Sequence, residues 1–183
     1  AASLSYDGKV YAAPYAVVNN TVIYNKKAFE KAGCQEPKTF DEFLAVCDKL
    51  LAAGITPIGL KDDAWAGFIW FQQLLAVYDP QLYVGICDGT IAYNDSRVVE
   101  VMQVWRTMLD KGYFAKPVAY LDTYKAFARG EVAMQLEPTG FLPTLTAEYG
   151  MVSGEDFDAM LVPSANGGKR VIFIGITPLA IPA

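Results

Sequence analysis

Apolar positions along this chain fall into two kinds of run, and the two kinds alternate. Phe40, Phe43, Leu44, Cys47, Leu50 and Leu51 are spaced to line one face of a helix. Thr39 and Glu42 place a capping-box pattern at its start, and Gly54 follows its end. Val98, Val101, Met102, Trp105 and Leu109 draw the same stripe over residues 96–111, with Asp95 as cap and Gly112 as stop. Shorter helices are predicted over 26–32 ahead of Gly33, over 122–129 ahead of Gly130, and over 141–149. Residues 64–77 read as a helix apolar on most of its surface. Between these lie runs rich in Val, Ile and Tyr that read as extended chain: 9–15 and 17–24, 55–60, 132–136, 159–163, and 171–181 after an Asn-Gly-Gly turn. Such alternation predicts one α/β unit over residues 1–183, a sheet with helices on both faces in three αβα layers.

Composition narrows the function. With 53 % apolar residues in a chain of 183, there is material for one substantial core, and 13 % aromatics exclude a disordered segment. A net charge of −5 lacks the basic field that nucleic-acid binding needs. The most apolar window is broken by Gln72 and Gln73, so no membrane span is predicted. Residues 1–7 lack the basic start and apolar run of a signal peptide. The chain has no histidine, which removes the commonest general base and metal ligand, and its three cysteines show no metal-binding spacing. Cys47 sits on an apolar helix stripe; a bridge between Cys34 and Cys87 stays open. No nucleophile elbow, zinc-protease helix or phosphate loop is present, and no cofactor is implied.

In an open α/β sheet, ligands gather beyond the carboxyl ends of the strands. Two loops meet that description, residues 61–65 and residues 137–141. Three stretches then carry a resemblance: DGKVYAAPYAVVNNTVIYNKKAFEKAG (7–33) followed by KTFDEFLAVCDKL (38–50), FARGEVAMQLEPTGFLPTL (127–145), and FIGITPLAIPA (173–183). Their order and spacing resemble the extracellular solute-binding proteins of carbohydrate ABC transporters, over nearly the whole chain. The resemblance implies the C-terminal lobe of a type II periplasmic-binding-protein fold, between two hinge crossings. The N-terminal lobe and a further helical portion would lie outside these residues. It also implies a sugar ligand held between two lobes, ABC permease subunits as partners, and an extracytoplasmic setting. Contact with a membrane would come only through an anchor or the permease.

A sugar presents apolar C–H faces and a rim of hydroxyls, so its site needs aromatic planes beside short polar groups. Lys61, Asp62, Asp63, Trp65 and Trp70 offer both kinds within the first loop and the helix after it. Asp63 either meets the ligand or caps that helix, and Trp70 either stacks on sugar or belongs to the core. In the second loop Glu137 and Phe141 are candidates; Gly140 stands where many members of the resembled family have tryptophan. Either Phe141 supplies the stacking surface there, or that wall is open to a larger sugar, or Phe141 faces the core. Tyr15 and Asn19 near the first crossing, and Gly175 where backbone can approach closely, complete the set. Neighbouring Asp62 and Asp63 project differently and make a poor glycosidase pair. A polyamine is the rival ligand, since acidic and aromatic groups also suit an ammonium. A glycan-acting enzyme or a ligand-free interaction module are the readings from other classes.

Overall fold

The computed structural model describes residues 4–180, apart from the side chain of Phe141. A hairpin of β1 (Ser5–Tyr6) and β2 (Lys9–Val10) precedes the long strand β3 (Ala13–Asn25), which leads directly into α1 (Lys26–Lys31). Asn25 makes that corner: its carboxamide oxygen accepts from the N–H of Ala28, and its amide donates to the carbonyl of Phe127. Next come α2 (Phe40–Ala52), β4 (Thr56–Ile58), α3 (Ala64–Tyr78), α4 (Pro80–Asp88) and α5 (Ser96–Asp110). The chain closes with α6 (Tyr120–Ala128), β5 (Val132–Pro138), α7 (Leu142–Tyr149), β6 (Phe157–Met160) and β7 (Phe173–Leu179).

The predicted caps form. Thr39 Oγ1 accepts from the N–H of Glu42, whose carboxylate reaches back to the N–H of Lys38. Helix α4 was not foreseen, although Asp79 followed by Pro80 is a cap and first-turn pair: Asp79 accepts from the N–H of Gln81. Strand β4 is shorter than predicted, β6 begins earlier and ends earlier, and α6 starts at Tyr120 instead of residue 122. The predicted end of the last strand, residue 181, lies outside the described residues. Cys34, Cys47 and Cys87 are all free thiols. Among the described residues no helix is long and apolar enough to cross a membrane.

The sheet runs β4-β5-β3-β6, with β7 also paired to β3. Strands β4 and β5 are parallel, Ile58 opposite Met134, and β3 is antiparallel to β5, β6 and β7. Asn20 pairs with Pro138 of β5 on one side and with Phe173 of β7 on the other. Hence β6 and β7 share the far edge of β3, one after the other. The first half of β3 and all of β7 form a ribbon that continues past the carboxyl end of β5.

Side chains alternate across the sheet. Val22, Met134 and Leu136 enter the larger core with Phe43, Leu50, Trp70, Leu74 and Val101 from α2, α3 and α5. Ile23 faces the other way, into a smaller core with Tyr124, Phe127 and Leu145 from α6 and α7. Helices therefore cover both faces, the three αβα layers expected from the sequence.

Candidate functional site

The parallel pairing of β4 and β5 brings their carboxyl ends side by side; Lys61 follows β4 by three residues, and Glu137 stands next to the last residue of β5. The chain after β4 is held by residues 113–118: Ala115 donates to the Ile58 carbonyl, Val118 to that of Leu60, and Asp62 to that of Val118. This clamp turns Lys61 inward. Its ammonium lies 2.7 Å from Glu137 Oε2, and the two side chains are 4 % and 2 % exposed.

Helix α6 closes over the pair because Gly59 leaves it room. A Cβ at Gly59 would stand 3.0 Å from Thr123 Cγ2 and Val132 Cγ1, so only glycine lets α6 approach this closely without displacing a neighbour. Tyr120 and Tyr124, one helical turn apart, then face Lys61. Lys61 Nζ sits 4.2 Å from the ring centre of Tyr120 and 5.5 Å from those of Tyr124 and Trp65. The Tyr124 hydroxyl donates to Glu137 Oε2 at 3.1 Å, and the two tyrosine rings meet edge to face. Burial pushes the Glu137 carboxyl above its usual range, with the Lys61 ammonium pulling against that shift. Burial and the neighbouring Glu137 charge together push the Tyr124 phenol well above its ordinary value.

Trp65 stands at the junction of this polar cluster and an open depression of about 230 Å³. That depression lies between α3 and the β3/β7 ribbon and is lined by Asn20, Trp65, Phe68, Gln72, Phe173 and Gly175. Trp65 is 38 % exposed. Phe68 follows it by one turn on the same helix face and is also exposed. Beneath them Tyr83 meets Phe68 and Phe173 edge to face. The result is an aromatic floor edged by the amide side chains of Asn20 and Gln72; Asp62 and Asp63, just ahead of Trp65 in the chain, are both exposed. Among the described residues no group of acidic or cysteine side chains is arranged to hold a metal ion.

Residues 1–183 match the family of bacterial extracellular solute-binding proteins along their whole length. The chain belongs to that family. Among its relatives, the alpha-glucosides-binding periplasmic protein AglE of Rhizobium meliloti is 27 % identical over 91 % of this chain and 41 % of its own length. A probable sugar-binding periplasmic protein of Mesorhizobium japonicum is 40 % identical over 43 % of this chain and 19 % of its own. Of solved structures, a chitin oligosaccharide binding protein superposes with a TM-score of 0.84 at 25 % identity, covering 94 % of this chain and 45 % of that one. The chain thus spans less than half the length of these relatives.

Within this solute-binding protein the candidate residues separate. Trp65 and Gly175 come together at the depression; Asp62 and Asp63 are exposed on the loop before Trp65, and Asp63 caps α3 by accepting from the N–H of Ala66 at 2.7 Å. A side chain at Gly175 would make only ordinary contact, 3.8 Å from the Val18 carbonyl, so nothing inside the lobe requires glycine there. Tyr15 is exposed on the ribbon, away from the depression.

Two expectations need correction. Trp70 is 1 % exposed and packs edge to face on Phe114, because its position along α3 points it into the larger core. Glu137 is buried beneath the rim as the partner of Lys61, so it does not present a free carboxylate. Asn20 lines the depression, and its strand neighbour Asn19 is half-buried and not among the lining residues. The side chain of Phe141 lies outside the described residues. Sequence reasoning missed Phe68, Phe173, Tyr120 and Tyr124; the one-turn spacing of Phe68 from Trp65, and of Tyr124 from Tyr120, was the available signal.

Proposed function

We propose that this chain is one wall of the sugar site in a two-lobed binding component of an ABC transporter, facing a second lobe across a cleft. The observation that carries this reading is Trp65, part-exposed on an aromatic floor that Phe68 and Phe173 continue. A pyranose ring stacks its C–H face on such a plane while Asn20, Gln72 and Asp62 meet its hydroxyls. The relatives support the ligand class, since those described by ligand are named for alpha-glucosides and for chitin oligosaccharides. Sugar-loaded protein would then engage permease subunits outside the cytoplasm. The relatives and structural neighbours named above are binding proteins.

The test is a thermal-shift and calorimetric screen of the longer protein carrying this lobe, against alpha-glucosides, chitin oligosaccharides and linear polyamines. A ligand that binds the folded state raises the melting temperature. A sugar that does so, and loses the effect in Trp65→Ala, supports the reading. A response to polyamines with none to sugars overturns it.

A further inference from the structure

An ammonium ion held against several aromatic faces and a buried carboxylate is how proteins recognise organic cations. This lobe contains such a cage, assembled from four residues on three elements: Tyr120 and Tyr124 on α6, Trp65 on α3, and Glu137 on β5. Its occupant is the protein's own Lys61. The ammonium lies 2.7 Å from the carboxylate and within 5.5 Å of all three ring centres. Both charged side chains are almost wholly removed from water.

We propose that Lys61 is a tethered ligand, filling a cation site on the cleft-facing rim so that cationic solutes are refused there. The charge and shape of the cage suit a primary alkylammonium. A free amine cannot displace Lys61 without leaving that lysine's own charge buried beside a second cation. The buried pair is therefore neutral as a whole, and Trp65, with its ring centre 5.5 Å from the ammonium, keeps an exposed part available for stacking. The consequence for selectivity rests on the sugar-binding reading above; the cage itself does not, and it is tested on this chain without any sugar.

Lys61→Ala removes three carbons and the amine, the atoms of n-propylammonium. In that variant n-propylammonium chloride should raise the melting temperature by about 3–6 °C at roughly ten times its dissociation constant. Sodium chloride at equal ionic strength and 1-propanol should have no such effect, and the unsubstituted chain should not respond to the amine. Adding Glu137→Gln to Lys61→Ala should abolish the response. An equal shift in the unsubstituted chain, or none in Lys61→Ala, overturns the proposal.

Should Lys61→Ala not fold, the unsubstituted chain provides a second readout. The Lys61 ε-methylene protons should resonate upfield of those of the other lysines, because Nζ lies 4.2 Å from the centre of the Tyr120 ring. Coincidence with the common lysine signal would overturn the cage. Failure of the sugar screen with success of the amine rescue would reject the transport reading and leave the cage standing.

Discussion

Two regions lie at the same end of the sheet and are built on opposite terms. The rim where β4 and β5 end is polar yet buried: Glu137 meets Lys61 at 2.7 Å and the Tyr124 hydroxyl at 3.1 Å, and α6 closes over them. The ribbon of β3 and β7 is apolar yet exposed, with Val17, Ile174, Ile176 and Leu179 turned to solvent. In water each arrangement has a cost, desolvation in the first and bare apolar surface in the second. The rim offsets its cost within this chain, through an ion pair, hydrogen bonds and aromatic faces. The ribbon does not, and its apolar faces are the part of the fold that covering protein would stabilise. Specific chemistry is thus completed locally, while the surface beside it suits the second lobe of the proposed clamp.

The sharpest break of this contrast is to remove one charge from the rim. Lys61→Ala leaves a buried carboxylate without its cation and should cost about 3–5 kcal/mol of stability in urea unfolding. A loss below about 1 kcal/mol would mean that the pair is solvated in solution. A cost of similar size, about 3–5 kcal/mol, is expected for Trp70→Ala, from lost packing in the larger core. The two tryptophans on α3 then serve as internal controls. Trp65→Ala should change stability far less, and weaken sugar binding by the longer protein by about 1–3 kcal/mol in calorimetry.

Proton linkage gives a smaller effect with a definite sign. The folded-state pKa of Glu137 is raised by burial, so its contribution to stability is present below the unfolded value and is lost as pH rises through the folded one. Glu137→Gln should remove that decline, flattening melting temperature against pH above the ordinary carboxylate range. An unchanged slope would assign the decline to other groups. The smallest effect belongs to the ribbon: Val17→Ser with Ile176→Ser should alter the stability of this chain by no more than about 0.5 kcal/mol for each change. The same pair should lower self-association in sedimentation. A large destabilisation would show that the ribbon is already packed and that the contrast with the rim is false.

Much of the fold was legible in residue order. Helices with both a stripe and a cap, such as α2 behind Thr39 and α5 behind Asp95, formed as read, because capping and helical spacing are local properties. Where local signals were thin, the boundaries moved. Helix α6 lacks a side-chain cap, and its start at Tyr120 instead of residue 122 is what places Tyr120 one turn from Tyr124.

For the site, the sequence by itself determined that aromatic and acidic residues follow β4, and that this loop lies where α/β ligands gather. It also established the family resemblance. It did not determine which face each side chain takes. Trp65 and Trp70 are five positions apart on one helix, yet one reaches the rim and the other the core. That choice depends on how α3 is rotated against a sheet whose strands come from distant parts of the chain. Lys61 and Glu137 are separated by 76 positions. Their meeting required the parallel pairing of β4 with β5, and the exclusion of water around them required α6 pressed against Gly59. Only the tertiary structure supplies such neighbours, because burial and charge pairing depend on distance in space and not on distance along the chain.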